Sequence, residues 1–446
     1  MTQQFVPADQ EQRQRIAQSL DESLFVEAGA GTGKTTELVA RVVALIATGK
    51  TEMNGIAAIT FTEAAAAELR ERVRRELEKE SLSARRSAEE RRLCAKAVRE
   101  MESAAIQTLH SFAAALLRER PLEAGLPPVF EVVEEIESDI QFEETWHQWL
   151  DKTLESAATG PYLQRALALG LRLEDLRQVA VILHQNYDLV TAPFPALPAP
   201  LPRAVAELLR AEGVISHLLP LAKNGLGDPL AAHARRVMEL AQRLRTLGEG
   251  DPSIAQLVRS GKLSFARGRI TDWKTDPATG SNGCTALKDF LKELEETRSL
   301  ELGQLRQAVL TPLLESVRGF VVAQGTERKS DGRAEFHDLL IWARDLLRDN
   351  PESRAHFQRR FSHLLVDEFQ DTDPIQAEIA FFLAGSPDDA ASLQSREWRK
   401  VKTAPGKLLM WDSSVVSGSP RRKNGPQRWT DGKAALLGSR SAKPSR

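Results

Sequence analysis

One stretch constrains this chain more than any other: Phe25-Val26-Glu27-Ala28-Gly29-Ala30-Gly31-Thr32-Gly33-Lys34-Thr35-Thr36. A short apolar run, Leu24 to Val26, reads as a buried strand. A glycine-rich turn follows, and a helical pattern opens at Lys34. Glycines at 29, 31 and 33 let the backbone turn tightly and aim N–H groups inward, and the helix start adds its positive end. The segment Ala28, Gly29, Ala30, Gly31, Thr32, Gly33 thus reads as a cradle for phosphate oxygens. Lys34 would reach the outer phosphates and the Thr35 hydroxyl would ligate Mg²⁺. The strict pattern has Gly at position 28, where this chain has Ala. Standing alone, the match leaves open a connecting loop without a ligand.

A second feature more than three hundred residues downstream answers it. Leu364-Leu365-Val366-Asp367-Glu368-Phe369-Gln370-Asp371-Thr372 is an apolar strand that ends in two adjacent carboxylates. Parallel α/β sheets place ligand chemistry outside the carboxyl ends of their strands. Asp367 would hold Mg²⁺ through its water shell and Glu368 would polarise an attacking water. The expected cofactors are therefore ATP and Mg²⁺.

Bulk properties narrow the class. The chain has 446 residues, 42% hydrophobic and 27% charged, as in an ordinary water-soluble protein. No apolar run approaches the ~20 residues of a membrane span, and the polar N-terminus lacks a signal-peptide plan. The 2 cysteines, Cys94 and Cys284, cannot build a disulfide framework. A cytoplasmic protein without a membrane partner is expected. Net charge is −2, but residues 396–446 carry 13 Lys/Arg against 3 Asp/Glu, a balance of +10 that leaves −12 for the rest.

Four segments follow from texture. Residues 1–134 alternate strand and helix signals, which implies a parallel sheet. Residues 135–332 carry Leu, Ala, Glu and Arg at helical spacing (Leu163, Leu167, Leu171, Leu176), broken by a proline-rich connector ending at Pro202. Residues 333–385 resume the α/β pattern. Residues 386–446 are rich in Ser, Pro, Gly, Arg and Lys without sustained periodicity, and read as an irregular basic tail, disordered or frameshifted.

Between the two halves of the phosphate site lie further motifs in a specific order. Thr60-Phe61-Thr62-Glu63-Ala64-Ala65-Ala66-Ala67-Glu68-Leu69-Arg70-Glu71-Arg72 resembles motif Ia of the UvrD/RecB helicases of superfamily 1. Thr108-Leu109-His110-Ser111-Phe112 resembles their next DNA-contacting motif. Arg333 to Leu340 and Val366 to Gln376 resemble the segment leading through motif II, and Ala28 is a variant this family tolerates. The resemblance covers roughly residues 5–133 and 333–385 and leans toward the RecB/AddA branch. It implies a RecA-like domain split by a helical insertion. The implied activity is an ATP-dependent DNA helicase or translocase of 3′-to-5′ type in recombination or repair.

Carried over residue by residue, the resemblance implies that Gln12 contacts adenine, with Gln10 a competing candidate. Arg72 would lie near the nucleotide, Thr36 stands where some members have a nucleotide-contacting Arg, and Gln370 would couple the nucleotide and DNA sites. Phe61, Thr62, His110 and Ser111 would line the path of single-stranded DNA. An aromatic such as Phe61, at a strand end, can stack on a base at ~1–3 kcal/mol; core packing is the alternative. His110 and Ser111 can donate to phosphate, or Ser111 can simply cap its helix. Asp338 reads equally as a solvated helix face. Implied partners are single-stranded DNA or a duplex with a single-stranded end, and a partner subunit of a recombination helicase–nuclease complex.

The family's second RecA-like domain, which supplies arginines worth ~10³–10⁵ in rate, finds no counterpart. The zone expected to read Gly-Asp-x-x-Gln-Ser-Ile-Tyr reads Gly406-Lys407-Leu408-Leu409-Met410-Trp411-Asp412-Ser413. The expectation is a truncated RecB-like helicase. The competing expectation is a non-catalytic ATP- and DNA-binding module that needs a partner for its missing half. An unrelated phosphate-loop ATPase such as a transporter subunit would leave the Thr60 and Thr108 motifs unexplained.

Overall fold

The computed structural model describes residues 9–28, 32–195, 202–247, 251–265 and 267–412. They form two compact units, one of residues 1–135 with 328–446 and the other of residues 136–327.

The first unit is built on a parallel sheet of β1 (Leu24–Glu27), β2 (Ile56–Thr60), β3 (Ala105–Thr108), β6 (His363–Val366) and β7 (Leu408–Asp412), in the order β1-β7-β6-β2-β3. A separate short parallel pair joins β4 (Glu131–Val132) to β5 (Arg333–Ala334). Every residue of β2 is buried. A continuous apolar run such as Ile56-Ala57-Ala58-Ile59 suits a central strand covered on both faces, where alternation would leave polar groups inside. On one side, Val42 and Ile46 of α2 (Lys34–Ala47) meet Leu69, Val73 and Leu77 of α3 (Glu63–Leu82), with Cys94 and Ala97 of α4 (Ala88–Arg99). The highly charged stretch 81–103 thus buries one stripe of α4. The helix Phe336–Asp349 packs against α5 (Leu109–Glu119) and against Pro374–Ala384.

Buried Arg41 fixes the entry to the sheet. Its guanidinium donates to the carbonyls of Ile16 (2.7 Å) and Glu22 (3.0 Å), which fastens α1 (Gln10–Gln18) beside the start of β1.

The expected irregular tail from Ser386 does not hold: it contains the helix Ala390–Gln394 and, at Leu408–Asp412, a strand inserted between β1 and β6. Leu364 pairs with Leu408, and Leu24 with Leu409. Four buried residues bounded by Pro405-Gly406 and a serine-rich run are too few to show a period, and the basic surroundings mask them. Residues 413–446 lie outside the described residues.

Lys407, at the mouth of this strand, is 5% exposed. Its ammonium donates to the carbonyls of Gln358 (2.7 Å) and Gly385 (3.1 Å), at the ends of the helices Pro351–Arg360 and Pro374–Ala384. Burial lowers its pKa to about 8. A lysine depressed in the folded state contributes stability that is complete above its unfolded pKa and is lost as pH falls through the folded value. Stability should therefore rise by on the order of 3 kcal/mol between about pH 8 and 10.5. Urea unfolding of the wild type beside Lys407→Met should show this slope in the wild type and a flatter one in the variant. Equal slopes would refute the assignment.

The second unit is helical. It comprises Glu135–Glu155, Gly160–Ala168, Leu173–Gln185, Pro202–Leu218, Pro229–Arg245, Pro252–Ser260 and most of the long helix Gly283–Asp331. Trp146 and Trp149 stack at 4.8 Å and pack on Phe320. Leu163 and Leu176 join this core, whereas Leu167 stays exposed. Among the described residues no helix is long and apolar enough to cross a membrane.

Candidate functional site

All five strands run parallel, so their carboxyl ends share one edge, and both halves of the phosphate motif emerge there. β7 separates β1 from β6, and the Ala28 N–H donates to the Asp412 carbonyl at 2.9 Å, extending that pairing into the loop. Gly29, Ala30 and Gly31 lie outside the described residues. Gly33 closes the loop at φ +91°, a left-handed conformation that glycine adopts at little cost. Helix α2 begins at the next residue, which sets Lys34, Thr35 and Thr36 in its first turn.

Lys34 reaches across to the acidic pair. Its Nζ donates to Glu368 Oε1 at 2.8 Å, and Gln370 Nε2 donates to Glu368 Oε2 at 2.6 Å. Three residues singled out from sequence are thus joined in one chain, Lys34–Glu368–Gln370. Glu368 itself has φ 54° and ψ 46°, the only non-glycine positive φ among the described residues. Such a backbone costs about 1–3 kcal/mol and clusters where geometry serves a site. Phe369 packs edge-on against Phe25 of β1 at 6.3 Å, holding the acidic turn beside the loop strand.

Asp367 directly follows β6, its N–H bonded to the Ile59 carbonyl. Burial, reinforced by the neighbouring Glu368 carboxylate, raises its pKa, against the opposing pull of Lys34. A half-buried carboxylate under that pressure suits a divalent cation, and a single carboxylate with a threonine hydroxyl fits Mg²⁺, which takes its other oxygens from phosphate and water. Among the described residues no cluster of three or more His, Cys, Asp or Glu forms a denser metal site.

Two nucleotide expectations fare differently. Gln12 sits exposed on α1, and it is its neighbour Arg13 that reaches the loop, donating to the Thr32 carbonyl at 2.7 Å. Arg72 pairs with Glu68 at 2.5 Å on the exposed side of α3. It is the tenth residue of a helix that begins at the site, so about 13 Å of helix carries it away.

Farther along the same edge, Phe61 follows β2 and is 64% exposed, so it is not a core residue. Thr62 caps α3, its hydroxyl accepting from Ala65 N at 3.1 Å. The cap of α5 is Thr108, which accepts from the Ser111 N–H at 3.3 Å; Ser111 is not the cap. Both hydroxyls instead converge on Glu63 Oε1, Thr108 at 2.8 Å and Ser111 at 2.9 Å, and these bonds lower the Glu63 pKa. His110 stacks on Phe336 with centroids 3.7 Å apart. Burial, then the neighbouring His337, push its pKa down to about 4, so at neutral pH it offers a neutral ring. Phe336, 60% exposed, was not singled out from sequence; the usable signal was an aromatic at the first position of a helix.

Asp338 departs from the solvated-face reading. It is 1% exposed and forms a two-pronged pair with buried Arg328, at 2.7 and 3.0 Å. One of its oxygens also accepts from the Glu335 N–H and caps the helix.

A parallel sheet with a phosphate loop on one strand and an acidic turn on a nearby one, interrupted by a helical unit, defines a RecA-like domain. Residues 8–391 match the UvrD/REP helicase N-terminal domain, and the chain belongs to that family. It is 25% identical over 422 residues to a subunit of the ATP-dependent helicase/nuclease of Pediococcus pentosaceus, covering 84% of this chain and 33% of that protein. To the corresponding protein from Geobacillus kaustophilus it is 27% identical over 409 residues, covering 80% and 32%. To that of Enterococcus faecalis it is 24% identical over 411 residues, covering 81% and 32%. The chain spans about a third of the length of these curated relatives.

Proposed function

We propose that this chain carries the first motor domain of an ATP-dependent DNA helicase or translocase, one that binds ATP with Mg²⁺ and single-stranded DNA. The observation that carries the reading is the Lys34–Glu368–Gln370 chain at the carboxyl edge of the sheet. In this arrangement the cation suited to phosphate is held by the carboxylate suited to water. A phosphate oxygen arriving in the loop would take Lys34, leaving Glu368 to accept a water's proton and Gln370 to register the exchange. Thr35 and Asp367 would hold Mg²⁺, which when bound neutralises charge building on the phosphates. Roles in recombination or repair and 3′-to-5′ movement are what the family resemblance implies, and the relatives' name, a helicase/nuclease subunit, supports assembly with a partner subunit. They belong to the same proposal.

Single-stranded DNA would pass over Phe61 and the His110–Phe336 stack, with bases on aromatic faces. Glu63 occupies the hydroxyl donors that a phosphate would need. Glu63→Gln should therefore tighten single-strand binding about threefold to tenfold, since it removes a like charge from the path. Fluorescence anisotropy with a labelled oligonucleotide tests this, and weaker binding would refute it.

The deciding experiment for the whole reading is ATP hydrolysis by the purified chain, with and without single-stranded DNA, beside Lys34→Ala. DNA-stimulated turnover lost in Lys34→Ala supports it. Nucleotide binding without turnover would favour the non-catalytic module, and no binding would reject both.

A further inference from the structure

Arg13 takes no part in the scheme above, yet its guanidinium joins three segments around the phosphate loop. Nε and Nη2 grip Asp9 at 3.0 and 2.9 Å, before the first turn of α1. Nη2 also donates to the Thr32 carbonyl at 2.7 Å, inside the loop. Nη1 pairs with Glu37 at 2.9 Å, one turn into α2. A Cβ built on Gly33 would lie 3.3 Å from Nη1, so the guanidinium rests against the loop's left-handed residue. Asp9 and Glu37 both raise the pKa of this group, as expected for a cation held between two carboxylates.

Glu37 creates a conflict that this arrangement resolves. A carboxylate in the first turn stabilises the empty helix through its positive end. The same carboxylate would repel a triphosphate bound at that end. Asp9 is half exposed and screened by solvent, whereas Glu37 is only 15% exposed and stands three residues from Lys34.

We propose that Arg13 is a positioning residue for nucleotide phosphates: it holds the loop through the Thr32 carbonyl and offsets the Glu37 charge. This rests on the nucleotide-binding reading above. A rigid fork is needed because the partners lie in different directions, so lysine would satisfy them incompletely. The effect acts on phosphates, so it should be the same for ATP and ADP and leave base preference unchanged.

The test is calorimetric titration of the full chain with Mg-ATP, Mg-ADP and Mg-GTP, comparing wild type, Arg13→Gln, Glu37→Gln, the double variant and Lys34→Ala. Arg13→Gln should weaken ATP and ADP about tenfold alike, with the ATP-to-GTP ratio intact. Adding Glu37→Gln should restore affinity to within about threefold of wild type, a recovery that a helix-fastening role would not produce. Wild-type affinity in Arg13→Gln overturns the inference, as does a loss that Glu37→Gln fails to recover. Should Arg13→Gln not fold, Arg13→Lys should bind between wild type and Lys34→Ala, and wild-type binding there overturns it equally. If wild type binds ATP no better than Lys34→Ala, the nucleotide reading itself falls, and the inference with it.

Discussion

Replacing Glu368 by Gln should lower ATP turnover by ~10²–10⁴-fold, the usual worth of a positioned general base, while tightening ATP binding. The two effects have one cause. Lys34 is engaged by Glu368 at 2.8 Å, with the lysine side chain only 13% exposed. That ion pair must open before Lys34 can serve a phosphate, so removing the charge removes a competitor as well as a base. Lys34→Ala should do the opposite to affinity, weakening ATP by about 10²-fold as the loop loses its cation. Measuring Kd and kcat for both variants separates the roles. If Glu368→Gln loses affinity and keeps turnover, Glu368 is a structural partner of Lys34 and the hydrolytic base lies elsewhere.

The second large effect is on stability. Asp338→Asn should cost about 3–5 kcal/mol, because it removes the two-pronged carboxylate partner of Arg328 in a site where both side chains are nearly excluded from water. Glu335, 3.5 Å from Arg328, offsets part of the loss, which favours the lower figure. Urea unfolding measures it directly. A second variant, Phe336→Ala, lies two residues away but its ring is exposed, so it should leave stability within about 1 kcal/mol while weakening single-strand binding. Unchanged stability in Asp338→Asn would mean that the pair is dispensable to the fold.

Much of the site was legible in sequence because its parts are local. A strand, a glycine turn and a helix starting with Lys34 are contiguous, and their chemistry needs no distant residue to be recognised. Asp367 and Glu368 were placed by the same logic, a strand ending in acids. The strand β7 was not legible, since four buried residues have no period and their burial is conferred by β1 and β6 on either side. Asp338 stays ambiguous in sequence because a carboxylate on a helix looks the same whether water or Arg328 faces it. Ser111 was taken as a possible cap when the cap is Thr108, a shift of three residues that depends on where the helix begins.

The order of the motifs and the helical texture of residues 135–332 determined the fold class and the family. Chain order, local turn chemistry and apolar runs survive in one dimension. Tertiary structure alone decided which charges meet: Lys34 with Glu368, Glu63 with two hydroxyls, Arg13 with Thr32 and Glu37, Arg328 with Asp338. The reason is physical. A charged side chain's role depends on the partner that replaces its water, and Glu368, which binds Lys34, lies 334 residues away along the chain.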